Sequence, residues 1–257
     1  WYGDHRDLHY PLRRQRQMCI RDRPYVGENA FAHKGGLHVS AVMKDPTTYE
    51  HVNPELVGNN RKILVSNQAG RSNLLSRLKS IGMEIDSDDK RINNLLELVK
   101  EREYMGYSYD GAGASFEILA KNILDQVPSF FSVENYEVTI AGSKDKSSLS
   151  KANIVLNVDE RIINSTGEGN GPVNALDNAL RKDLGIYNEY IQDLTLVDYK
   201  VRILDGGTEA ITRVVIESSD SKNQSWFTVG ISSNIIEASF EALMDSINYK
   251  LIKSDIK

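Results

Sequence analysis

Apolar positions recur at helical spacing through the first half of the chain and alternate in the second. In "SNLLSRLKSIG" Leu74, Leu75 and Leu78, and in "SDDKRINNLLELVKERE" Ile92, Leu95, Leu96 and Val99, return every three or four residues, which places them on one face of a helix. Ser87 is positioned to cap the second helix, with Asp88 and Asp89 in a first turn where the helix dipole favours negative charge. Phe116, Leu119, Ile123 and Leu124 predict a third helix over roughly 114–124, stopped by Val127 and Pro128. Residues 71–127 therefore read as a small helical subdomain. Beyond Pro128 the period becomes two: Tyr136, Val138 and Ile140 point one way, and "ANIVLNVDERIINS" is rich in branched residues, so strands begin there.

The second half repeats itself. A shift of 63 residues lays Tyr136 on Tyr199, Val138 on Val201, Ile140 on Ile203, Gly167 on Gly230, Ala175 on Ala238, Ala179 on Ala242 and Leu180 on Leu243. The middle strands depart from that shift, with Ile154 and Leu156 fitting Val214 and Ile216, so the hairpin loops differ in length; "DGG" at 205–207 is a hairpin turn. Each copy reads strand, strand, strand, helix, with helices at about 172–183 and 234–252 covering one face of the strands. The predicted fold class is α+β: a small all-helical subdomain followed by a two-layer domain of duplicated β-β-β-α units. Two equivalent units point to a site at their seam or to a self-complementary surface.

The segment from Pro24 to about Gly70 has a glycine pair, three prolines and scattered histidines by Gly58, so it reads as short helices and turns that lean on something else. Residues 1–23, "WYGDHRDLHYPLRRQRQMCIRDR", carry arginine and no lysine, lack periodicity, and read as a non-native or disordered start; a basic arm for nucleic acid is the alternative. The expected division is 1–23, 24–70, 71–127 and 128–257.

At 257 residues and a net charge of −5 the chain has room for two domains, and its acidity argues against nucleic acid as the main partner. No apolar run is long enough to cross a bilayer, and the one cysteine, Cys19, makes no internal disulfide, so a cytoplasmic protein is expected.

The stretch "NSTGEGNGPVNALDNAL" carries the clearest candidate chemistry. Gly167, Gly169 and Gly171 can adopt conformations closed to other residues, and Pro172 suits a first helical position. A helix start left open in this way accepts an anion. The loop lacks the Lys and Ser/Thr of a nucleotide-binding P-loop, so a single carboxylate fits better than a triphosphate, with Val173 beside it for an apolar group. The alternative is that the glycines only permit a tight strand-to-helix turn. His33 and His38, five residues apart, share neither a helix face nor a strand face, so no metal pair is expected.

"NAFAHKGGLHVSAVMKDPTTYEHVNPELVGNNRKILVSNQAGRSNL", "GEGNGPVNALDNALRKDL", "LVDYKVRILDGG" and "GISSNIIEASFEALMDSINYKL" together resemble the C-terminal part of the 2-isopropylmalate synthase family, over residues 24 to about 253. The resemblance implies an acyltransferase that condenses acetyl-CoA with a 2-keto acid, pyruvate in one branch. It also implies a divalent metal, Mg or Mn, held by an N-terminal TIM barrel that these residues do not include, and a homodimer. His38 of "KGGLH" matches a histidine that reaches the partner's active site for proton transfer, and Tyr49 of "TTYE" matches a contact to acyl-CoA or substrate. Ser40 stands where many family members have Asp. The duplicated domain resembles the family's allosteric and dimerisation domain. The residues matched to its end-product pocket are Gly169, Asn170, Gly171, Pro172 and Val173, with Asp198 and Tyr199 as polar contacts and Ser232, Asn234 and Ile235 as the second unit's counterpart. The implied effector is isoleucine, or leucine in the other branch of the family, with a pure dimerisation scaffold as the alternative.

Overall fold

The computed structural model describes residues 25, 27, 30–33, 36–63, 70–86, 88–124, 127–142, 148–204, 206–207 and 210–254. Residues 1–23, Ser87 and Asp205, on which a predicted tail, cap and turn fall, lie outside the described residues. The chain forms two compact units that divide between Lys100 and Glu101.

In the first unit a short parallel pair, β1 (Ala32–His33) and β2 (Lys62–Ile63), accompanies α1 (Gly36–Lys44) and α2 (Arg71–Ser80). Two 3-10 turns lie between α1 and β2. Pro46 and Pro54 start them, and Asp45 and Asn53 accept from Thr47 N and Glu55 N as caps. Leu74 and Leu78 of α2 are buried as the helical spacing predicts. α3 (Lys90–Tyr104) starts later than expected, so Asp89 precedes the helix and its Oδ1 accepts from Arg91 N at 2.8 Å. Ile92, Leu95 and Val99 are fully buried, while Leu96 lies at the edge of that stripe.

The second unit opens with the end of α3 and α4 (Gly113–Ile123), followed by two three-stranded antiparallel sheets. The first is β3 (Phe131–Gly142), β4 (Ser148–Val158) and β5 (Arg161–Gly169), leading into α5 (Pro172–Lys182). A short α6 (Asn188–Ile191) connects to β6 (Thr195–Ile203), β7 (Thr212–Ser219) and β8 (Ser225–Ser232), which lead into α7 (Ile235–Lys253). α5 packs on β4 and β5, α7 packs on β7 and β8, and the two helices also touch each other. One continuous core results, from Ile154, Leu156, Leu176 and Leu180 to Ile216, Leu243 and Ile247.

The duplication extends to detail. Both first strands carry a bulge at matching places, Val133/Asn135 and Leu196/Asp198. Ser165 Oγ donates to Ala179 O at 2.6 Å, and its counterpart Thr228 Oγ1 donates to Ala242 O at 2.8 Å. The register corrects the middle-strand alignment: Gly167 faces Ala152 and Gly230 faces Val214, so Ala152 matches Val214 and Ile154 matches Ile216.

Strand β8 ends its sheet, and its outward N–H groups find side chains instead of a strand. Ser115 Oγ accepts from Val229 N at 3.0 Å while donating to Asp245 Oδ2 at 2.5 Å. Glu241 Oε2 accepts from Ile231 N at 2.9 Å, and its other oxygen accepts from Tyr107 OH at 2.6 Å. α4 is thereby tied to the edge of the duplicated module.

Candidate functional site

The two residues matched to catalysis lie together in the first unit. α1 carries His38 and the first 3-10 turn ends at Tyr49, whose ring stacks on the imidazole with centroids 4.4 Å apart and planes at 28°. Both side chains are exposed. An imidazole held flat against a ring keeps its orientation while its ring nitrogens stay accessible for proton transfer. Ser40, one turn position away, is a neutral hydroxyl bearer that supplies no carboxylate there.

Directly after Tyr49 comes a buried carboxylate that sequence reasoning missed. Glu50 is 8% exposed, and Arg61 Nε and Nη2 donate to its two oxygens at 2.7 and 2.6 Å. His33 Nε2 lies 2.9 Å from Oε1. The Arg61 hydrogen bonds hold the Glu50 carboxyl below its usual range, against desolvation. The triad clamps the chain at Glu50 to β1 and to the approach to β2, and so fixes where Tyr49 stands. Its members are 17 and 11 residues apart in sequence, and no local pattern joins them. Among the described residues no group of three His, Cys, Asp or Glu is arranged to hold a metal ion.

In the second unit the glycine loop departs from expectation. Gly167, Gly169 and Gly171 are all outside the left-handed region, and Gly171 is extended at φ −158°, so no glycine-only conformation is used. Gly167 and Gly169 are instead sites of close approach. A Cβ on Gly169 would come within 2.7 Å of Ala175 N, and one on Gly167 within 2.9 Å of Ala179 Cα. Gly171 borders open space. The helix start is open as predicted: no side chain caps α5, and Pro172 occupies its first turn. Asn170 N donates to Asn174 Oδ1 at 3.3 Å, turning that loop amide toward the helix. Val173 is half-buried against the core.

The second unit's counterpart is closed. Asn234 Oδ1 accepts from Ile236 N at 3.0 Å, Asn234 N donates to Ser232 Oγ at 3.0 Å, and Ser232 Oγ donates to Glu237 Oε2 at 2.8 Å. Ile235 is exposed just beyond. Tyr199 joins this group through Ser239, its OH 2.7 Å from Ser239 Oγ. Asp198 is engaged as well: Lys200 Nζ lies 2.5 Å from Oδ2 and Tyr199 N donates to Oδ1 at 2.8 Å, and the Lys200 contact draws the carboxyl below its usual range. The predicted pocket residues thus form two groups, Gly169–Val173 at α5 and Tyr199 with Ser232–Ile235 at α7. No hydrogen bond or ring contact among the described residues joins them.

The family described as the LeuA allosteric (dimerisation) domain matches residues 111–251, and that described as homocitrate synthase post-HMGL domain-like matches residues 25–104. The chain is 50% identical to the (R)-citramalate synthase of Aquifex aeolicus and 48% identical to that of Geobacter sulfurreducens, over 91% of its own length and 45% of theirs in each case. Identity to the (R)-citramalate synthase of Sulfolobus acidocaldarius is 40%, over 91% of this chain and 44% of that protein. The chain therefore spans a little under half the length of these relatives. No helix among the described residues is long and apolar enough to cross a membrane.

Proposed function

Because the chain belongs to the LeuA allosteric (dimerisation) domain family, we propose that it is the linker and regulatory region of a citramalate synthase that acts in the cytoplasm as a homodimer. The complete enzyme joins acetyl-CoA to pyruvate: the acetyl methyl carbon loses a proton and bonds to the keto carbon, the keto oxygen gains a proton, and water then cleaves the thioester. A divalent metal in the part of the enzyme outside these residues would polarise the keto group. Within this chain His38 moves a proton near the acetyl group, and Tyr49, seated by the Glu50 triad, orients its ring. Residues 24–70 then serve as the linker, 71–127 as a helical connector and 128–257 as the regulatory domain.

The regulatory part binds the pathway's end product, isoleucine, with its carboxylate at the open start of α5; leucine is the ligand if the parent enzyme makes isopropylmalate. The observation that carries the assignment is 50% identity to a citramalate synthase sustained over 91% of the chain. A second reading, a dimerisation scaffold without a ligand, draws on the closed entrance of α7 and on Asp198 being engaged by Lys200. Titration calorimetry of the whole chain with L-isoleucine and L-leucine, beside light scattering for the dimer, separates the two. Heat and a raised melting temperature with either amino acid support the sensor; a dimer that responds to neither leaves only the scaffold.

A further inference from the structure

We propose that Ser150 adds a hydroxyl donor for the ligand's carboxylate at the entrance of α5 and that Ile140 and Val138 receive the ligand's side chain; this rests on the sensor reading above. Along β4, Ser150 shares the helix-facing side with Ala152, Ile154 and Leu156. It is fully buried, yet its hydroxyl has no hydrogen-bond partner among the described residues. Other hydroxyls on the helix-facing sides of these sheets are bonded: Ser165 to Ala179 O at 2.6 Å, Thr228 to Ala242 O at 2.8 Å, Ser218 with Ser246 at 2.7 Å. An unpaired buried hydroxyl is unfavourable, and a ligand that bonds to it removes the penalty.

Its position says which ligand group it meets. Ser150 pairs across the sheet with Gly169 on one side and Ile140 on the other. Gly169 lies beneath the first turn of α5, where an added Cβ would be 2.5 Å from Asn174 Oδ1 and 2.7 Å from Ala175 N. The hydroxyl therefore stands beside an uncapped helix start, and the two together offer O–H and N–H donors to one carboxylate. Ile140 continues the same face and is 56% exposed, next to half-buried Val138, so an apolar surface adjoins the polar corner. In the second repeat Thr212 takes the place of Ser150, opposite Ser232 and Ile203, and α7 is capped by Asn234. Among the described residues this pairing of an unbonded buried hydroxyl with an uncapped helix start is found at α5 and not at α7.

The test is calorimetry on the whole chain with L-isoleucine, L-leucine, L-alanine and L-isoleucinamide, comparing wild type, Ser150→Ala, Ser150→Cys and Ile140→Ser. Ser150→Ala is expected to weaken isoleucine binding roughly 10- to 100-fold, the loss typical of a hydrogen bond to a charged group, while leaving binding of the amide, which lacks the carboxylate, unchanged. Its ligand-free melting temperature should equal or exceed that of wild type, since an unpaired hydroxyl is removed, and Ser150→Cys, near in size and a poor donor, should weaken isoleucine in the same direction. Ile140→Ser, at an exposed position, should weaken isoleucine by about 5-fold and alanine hardly at all. Wild-type affinity for isoleucine in Ser150→Ala would overturn the proposal and leave the sensor reading standing. Absence of binding by wild type to isoleucine and leucine would remove both.

Discussion

Gly167→Ala is the sharpest probe of what the glycines do. A methyl at this position would sit 2.9 Å from Ala179 Cα and closer still to Ala175 O and Ala179 N, where carbon contacts normally begin near 3.5 Å. All three atoms belong to the backbone of α5, so no side chain can swing away, and the helix must move off β5 by several tenths of an ångström. That movement also strains the Ser165 Oγ to Ala179 O bond, 2.6 Å long and buried. Overpacking of this kind costs about 1–3 kcal/mol, and loss of the hydrogen bond adds about 1 kcal/mol. In a unit of this size a total near 3 kcal/mol lowers the melting temperature by roughly 6–12 °C. Gly171→Ala is the control: its added methyl meets nothing within 4 Å and its φ of −158° is open to any residue, so stability should stay within about 1 kcal/mol. Thermal denaturation followed by Trp226 fluorescence reads both variants. Equal stability of wild type and Gly167→Ala, or a larger loss at Gly171 than at Gly167, would refute the close-approach argument.

Asp245 gives a pH signature. Burial pushes its carboxyl up to about 7, opposed by the Ser115 hydrogen bond and reinforced by Glu241, so the folded state holds a proton that the unfolded chain releases near pH 4. Its stabilising contribution is complete below pH 4 and is lost as pH rises to 7, by roughly 4 kcal/mol at most; Asp245→Asn should therefore raise stability at pH 8 far more than at pH 4.5, and an equal effect at both would count against it. Glu50→Gln should loosen the first unit by roughly 1–3 kcal/mol, seen as faster amide exchange around β1 and β2, because Arg61 loses a charged partner. In wild type the same protection should fail in acid, since the depressed Glu50 value gives stability present above its unfolded pKa and lost as pH falls through the folded one. Tyr49→Phe should keep the ring-current shift of the His38 imidazole protons and Tyr49→Ala should abolish it, with global stability changed by less than about 1 kcal/mol because both rings are exposed; an unshifted His38 in wild type would dissolve the stack.

The fold was readable where a side chain's environment follows from its neighbours along the chain. Leu74 and Leu78, or Ile92, Leu95 and Val99, are buried because helical spacing gathers them on one face, and the alternation through Ile154 and Leu156 does the same for a strand. The glycines were found but misread, since a left-handed turn and a close helix approach both select glycine and only coordinates tell them apart. The Glu50 triad was invisible: a buried carboxylate looks like any surface glutamate until His33 and Arg61 are brought to it. Asp198 could have been read more fully, because Lys200 two residues on in a strand shares its face and competes for it.

The two repeats sort their own residues into those fixed by packing and those free to diverge. Gly167 and Gly230 agree because each lies against the backbone of the following helix, at Ala175 and Ala179 or at Ala238 and Ala242, and nothing larger fits. Ser165 and Thr228 agree because each hydroxyl bonds a helix carbonyl across that same contact. Gly171 matches Asn234, and there the repeats part: open space surrounds Gly171, while Asn234 folds back to cap its helix. Ser150 and Thr212 differ at the adjoining strand position. Both differences fall on the helix entrance and not on the helix-to-sheet contact. Packing therefore explains what the two copies share and not how their entrances differ; on the sensor reading proposed above, a ligand held at one of them accounts for the difference, and restoring symmetry with Gly171→Asn should close the α5 start and abolish amino-acid binding without lowering the melting temperature of the free chain.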